Sequence, residues 1–160
     1  MVFGWYGGHD AWDDNATPVV LHVASQRRND VYFLFQNFKD DAQLLLQENP
    51  NIISLPVDSG LINKKRFILT CDAFLHTRTL GETFGLAVAE FSILQRPIIT
   101  KRHPLHRFHL DILQGDCYTY GSMPELKTLL LSLNEANLLR RDFAARPLRR
   151  ISSRKGDENV

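Results

Sequence analysis

The sequence has few of the features that would move it out of the ordinary globular class. It holds two cysteines, Cys71 and Cys117, among 160 residues. That is too few for a disulfide framework, and a reducing compartment suits such a chain. No apolar run approaches the roughly 20 residues that cross a bilayer. The opening MVFGWYGGHD has no long apolar core of the kind a signal peptide carries. Charge of neither sign dominates: 19 Lys and Arg face 18 Asp and Glu, for a net charge of +1. No global field therefore points to nucleic acid or to a membrane. Internal repeats are missing too. What remains is the expectation of one soluble, cytoplasmic domain. Its 44% hydrophobic and 23% charged residues suffice for a core.

Apolar runs alternate with amphipathic ones. VFGWY reads as a strand ended by Gly7-Gly8. NATPVVLHVASQRRN reads as a helix with Thr17 as cap and Pro18 in the first position. VYFLFQNF is a strand, DDAQLLLQENP a short helix or turn, and NIISLPV a strand. DSGLINKKRFILTC is a helix with Asp58 as a possible cap, followed by the strand DAFLHT. A helix to about Gln95 comes next, then the strand RPIITK. PLHRFHLDILQG reads as a helix and CYTY as a short strand. SMPELKTLLLSL is a helix capped by Ser122, and a last helix runs to about residue 146. VYFLF and PIIT are apolar on both faces, as strands covered on both sides must be. The pattern predicts an α/β fold: a doubly wound, mostly parallel sheet of about six strands, Rossmann-like, over residues 1–146. Residues 147–160 form a basic tail, expected to be disordered. Arg140, Arg141, Arg146, Arg149, Arg150, Arg154 and Lys155 make a membrane surface a candidate contact of this end. A solvated helix and tail is the simpler account. No aromatic interleaving supports nucleic-acid binding.

The stretch TLGETFGLAVAEF raises the chemical question. It follows the strand DAFLHT and opens a helix, so it lies at the carboxyl edge of the sheet, where ligands of such folds sit. Phe84, Gly85 and Leu86 would present free backbone N–H groups there, and these with the helix dipole bind phosphate. Glu90 lies five residues beyond Gly85, about 7 Å along the axis. A ribose attached to that phosphate reaches as far, and a carboxylate accepts from two vicinal hydroxyls. Glu82, before the helix, would face a sugar on the other side of a diphosphate. A helix cap at Glu82 and a solvated helix face at Glu90 are the bland alternatives. For Gly85 the alternative is close helix–strand packing.

GETFGLAVAEF, with KKRFILTCDAFLHTR before it and RPIIT after it, resembles the E-x7-E segment of retaining GT-B glycosyltransferases of the family 4 type. The resemblance is sharp over about residues 64 to 100. It implies the nucleotide-sugar-binding, C-terminal domain of such an enzyme, with metal-independent transfer from a nucleotide diphosphate sugar. It implies Glu82 as the catalytic-site glutamate near the donor sugar. Thr83, Phe84, Gly85 and Leu86 are implied at the diphosphate and sugar, and Glu90 at the ribose. His76, Arg78, Gly7 and Gly8 are further donor-site candidates at neighbouring strand ends. The family places an arginine and a lysine after its first strand; here Trp5 stands at the arginine position, and His9 and Asp10 stand near the lysine position. Arg78 is the candidate substitute, because a guanidinium grips phosphate bidentately. The resemblance also implies an acceptor-binding half on a separate domain or chain. A non-catalytic nucleotide-sugar-binding or interaction module is the alternative.

No cofactor or metal is expected. His103, His106 and His109 have short spacings, but steps of three drift around a helix and no cysteine or carboxylate set joins them. Trp5, Tyr6 and Trp12 are equally suited to stacking on a ligand and to the core. Cys71 reads as a small buried filler.

Overall fold

The computed structural model describes residues 1–8, 11–38, 49–58 and 60–139. Its central sheet is built from β1 (Val2–Tyr6), β2 (Tyr32–Gln36), β3 (Ile52–Leu55), β4 (Ala73–His76), β6 (Ile98–Lys101) and β8 (Tyr118–Tyr120). These six are parallel throughout and lie in the order β3-β2-β1-β4-β6-β8. The chain winds outward from β1 to β3, returns to lay β4 beside β1, and continues to β8. The strand order therefore reverses between β1 and β4. A crevice opens outside the carboxyl ends at such a reversal. Two short strands, β5 (Gly81–Glu82) and β7 (His106–Arg107), pair separately.

The helices are α1 (Thr17–Gln26), α2 (Leu61–Thr70), α3 (Leu86–Ile93), α4 (Phe108–Leu113), α5 (Met123–Ser132) and α6 (Glu135–Leu139). α1 lies against α5, α2 against β1, and α3 against β4 and β6. Phe91 fixes α3: it is buried and stacks on Phe74 with ring centroids 4.4 Å apart. Burying such a ring contributes about 1.5–3 kcal/mol. Among the described residues no helix is long and apolar enough to cross a membrane.

The expected strands and most helices are present, and the differences have local causes. Thr17 is not a cap. A 3-10 turn at Asp14–Ala16 precedes α1, and Asp13 caps that turn through Asn15 N. Asp58 sits before the cap position, which is Gly60, and ties Gly60 N and Asn63 into a turn. Ser122 does cap α5, accepting from Glu125 N at 3.3 Å. The helix expected from Pro104 shrinks to Phe108–Leu113, because His106 and Arg107 pair with Gly81 and Glu82 instead. Trp5 and Trp12 belong to the core, packed edge-to-face at 5.5 Å beside Phe35 and Phe38. Most of the expected helix at DDAQLLLQENP, the positions His9 and Asp10, and the basic stretch from Arg140 to the tail at 147–160 lie outside the described residues.

Candidate functional site

Four segments meet the crevice or border it: the end of β1 with Gly7 and Gly8, the end of β4, the β5 loop, and the start of α3. Two glycines shape the loop. Gly81 has φ +73°, and a Cβ there would stand 2.1 Å from the His106 carbonyl oxygen. No other residue allows β5 to approach β7 so closely. Gly85 is the N-cap of α3 with φ +78°, a left-handed conformation that side chains disfavour by about 1–2 kcal/mol. The glycine that looks misplaced by helix propensity thus lies outside the helix, at the turn that starts it. Ala89 N donates to the Gly85 carbonyl at 2.9 Å, closing the first turn. The earlier N–H groups of a helix have no acceptor within it. Thr83, Phe84 and Leu86 are exposed beside this helix start, while Gly85 and Val88 are buried. Phe84 stacks on Phe108, centroids 6.4 Å apart.

Glu82 lies at the first corner of the site. Its Oε1 accepts from Arg78 Nη1 at 2.7 Å and stands 3.7 Å from His76 Nε2. His76 and then Arg78 hold this carboxyl at about 2, against 4.5 for an ordinary glutamate, while burial works in the opposite direction. Of the two, only Arg78 is within hydrogen-bonding reach. Arg78 was expected to face a diphosphate; it already has a carboxylate partner. Beneath Glu82, His76 Nδ1 lies 2.8 Å from Thr100 Oγ1, and that hydroxyl lies 3.1 Å from His109 Nε2. All three are buried. Burial and then the nearby His76 push the His109 imidazole down to about 4, from 6.5.

Glu90 forms the second corner. Its Oε1 accepts from Lys64 Nζ of α2 at 3.0 Å, and its Oε2 accepts from the Tyr6 hydroxyl at the end of β1. Burial first, then the Glu90 carboxylate, raises the Tyr6 phenol well above its ordinary range. The Tyr6 ring rests on Phe91 and under Lys64, so it serves as floor and hydrogen-bond donor together. Gly7 is tied to the end of β2 by Asn37 Nδ2, which donates to its carbonyl at 2.8 Å. A Cβ at Gly8 would meet nothing within 4 Å, so open space lies over it.

Lys64, Thr100 and His109 were not among the expected site residues. Lys64 had a faint signal: it falls one turn before buried Phe67 and Ile68, on the inward side of α2. Of the three closely spaced histidines only His109 is buried; His103 and His106 are exposed. Among the described residues no three His, Cys, Asp or Glu side chains converge as a metal set would.

This architecture has solved counterparts. TarM superposes with a TM-score of 0.69 at 16% identity, over 89% of this chain and 30% of TarM. The fold is that of a GT-B glycosyltransferase domain. HepE of Anabaena, solved with UDP-glucose, gives 0.65 at 14% identity, over 85% of this chain and 39% of that one. The C-terminal domain of LpcC from Francisella tularensis, a glycosyl transferase group 1 family protein, gives 0.64 at 10% identity, over 81% of this chain and 73% of that one. At these identities the likeness is one of fold. The chain spans between 30% and 39% of the length of TarM and HepE. No family model and no curated protein sequence matches it.

Proposed function

We propose that this chain is the nucleotide-sugar-binding domain of a retaining, metal-independent glycosyltransferase. The observation that carries the proposal is the Gly85-capped start of α3 at the carboxyl edge of the sheet, with Glu82 before it and Glu90 one face further on. The N–H groups of a helix N-terminus, which have no acceptor within the helix, suit a diphosphate. Glu90 takes the ribose, and Gly8 leaves room for the ligand to pass β1, whereas the space over Gly7 is filled by Ala11 and Trp5. Arg78 and His76 hold Glu82 charged beside the donor sugar, where it orients hydroxyls and favours an oxocarbenium-like transition state. The N–H groups of the helix start stabilise the negative charge growing on the leaving diphosphate. The fold likeness to HepE, which was solved with UDP-glucose, supports a nucleotide sugar as the ligand. Transfer needs an acceptor held in register, and we assign that task to a separate domain or chain. The isolated chain should bind the donor and transfer sugar poorly.

The test is a thermal-shift series with uridine, guanosine and adenosine diphosphates at millimolar concentration, chelator present. A ligand that binds only the folded state raises its stability with the logarithm of concentration. One of the three should raise the midpoint; no shift with any of them would sink the donor site.

One observation favours a second reading, a non-catalytic binding module. Glu90, the ribose ligand of the proposal, already has a partner on each oxygen, and Arg78 Nη1 already donates to Glu82. Nucleotide binding without transfer, even beside an acceptor half, would select this reading.

A further inference from the structure

Beneath the loop that carries Glu82 lies a chain of three polar side chains in an apolar layer. His76 comes from β4, Thr100 from β6 and His109 from α4. They are 4%, 0% and 0% exposed. The Thr100 hydroxyl stands between the imidazoles, 2.8 Å from His76 Nδ1 and 3.1 Å from His109 Nε2. The far nitrogen of His76, Nε2, is buried without a hydrogen-bond partner and faces Glu82 Oε1 at 3.7 Å. The rings of His76 and His109 approach edge-to-face with centroids 4.9 Å apart. An ordered polar chain in a core specifies one arrangement only when its members are mutually satisfied.

Counted from the Glu82 end, the protons run in one direction; at the other end His109 Nδ1 is buried without a hydrogen-bond partner. An ionised carboxylate only accepts, so the nitrogen facing Glu82 must carry a hydrogen. A neutral His76 with its proton on Nε2 has a bare Nδ1, which must be given a hydrogen. Thr100 has one hydroxyl proton, and it goes to Nδ1. The Thr100 oxygen can then only accept from the second ring, so His109 carries its proton on Nε2. We propose that Thr100 and His109 are positioning residues that lock the His76 imidazole, with its Nε2–H aimed at the Glu82 carboxylate. The direction runs from His109 through Thr100 to His76, each of these two hydrogen bonds having one donor and one acceptor, and His76 Nε2 then faces the Glu82 carboxylate at 3.7 Å. The purpose of the chain rests on the donor-domain reading above, since it steadies the carboxylate assigned to the sugar. Its geometry does not.

The experiment is nitrogen-15 NMR of the histidine rings in the whole chain at alkaline pH. In the wild type, His76 and His109 should each show a protonated Nε2 and a bare Nδ1. Thr100→Val keeps the shape and removes the hydroxyl. It should mix the tautomers of His76, and Thr100→Ser should restore the single form. A purely packing role for Thr100 predicts no change in the valine variant. Wild-type His76 protonated on Nδ1, or an unchanged His76 in folded Thr100→Val, would overturn the proposal. If the valine variant does not fold, the wild-type tautomers and the serine variant decide alone. A chain with the expected tautomers but no diphosphate thermal shift keeps the positioning network and loses the donor site, so the two failures are separable.

Discussion

Glu82 and Glu90 are the same residue eight positions apart, and their surroundings differ in kind. The Glu82 side chain is 18% exposed, gripped by a guanidinium and backed by two buried imidazoles and a hydroxyl. The Glu90 side chain is 31% exposed and held between an ammonium and a phenol. The first corner is made from the loop after β4 and from what lies under it. The second is made from two helices and the end of β1. A carboxylate has about four lone-pair sites. Glu90 uses one on each oxygen and keeps one on each, which still suits a vicinal diol. Glu82 has both of its contacts on one oxygen. The difference shows how neighbours, and not the motif glutamates themselves, divide charge holding from ligand binding.

The largest effect that would break the Glu82 corner is Gly81→Val. Its Cβ would clash with the His106 carbonyl, and φ is +73°. We expect a loss of about 3 kcal/mol, read from the urea midpoint. A stable variant would mean that β5 and β7 separate freely. Glu90→Gln breaks the other corner. Nucleoside diphosphate affinity should fall by about 1.5–3 kcal/mol, while inorganic diphosphate binds about as before. Equal losses in calorimetry would contradict the ribose assignment.

Acid titration sharpens the contrast. Glu82 has a folded value of about 2, below the ordinary 4.5. The folded state thus holds fewer protons than the unfolded one between those values, and stability from this group, full above 4.5, is lost as pH falls toward 2. Discounted for partial exposure, the loss should be about 1–2 kcal/mol. His109, depressed from 6.5 to about 4, loses its contribution earlier, between those two values. Urea unfolding against pH should show both limbs. Glu82→Gln should flatten only the lower one, and a flattening of both would mean that the two groups titrate as one.

Lys64→Met should have the smallest effect. The pair is partly exposed, so stability should change by less than about 1 kcal/mol. Nucleoside diphosphate affinity should shift by a few-fold at most, since Tyr6 still orients Glu90. A drop as large as that of Glu90→Gln would make Lys64 itself a ligand-binding group.

The sequence by itself determined the alternation of strands and helices, the parallel sheet of six strands, and the strand–loop–helix placement of the E-x7-E segment. Those features rest on periodicity, caps and glycine, which act over a few residues. Ser122 caps where its spacing says it should. Thr17 does not, because Asp13 starts the turn earlier. Apart from Arg78, four residues before Glu82, the partners of the site residues were decided by the tertiary structure. Tyr6 and Glu90 are 84 residues apart, Lys64 and Glu90 26, and His76 and Thr100 24. Nothing in local spacing links them; the return of the chain from β3 to β4 does, by setting β1 beside β4 and α2 beside β1. The same closure turned His106 from an expected helix into a strand against Gly81 and left His109 buried beside Thr100. Backbone pairing between distant segments outweighs the weak preference of a short helix.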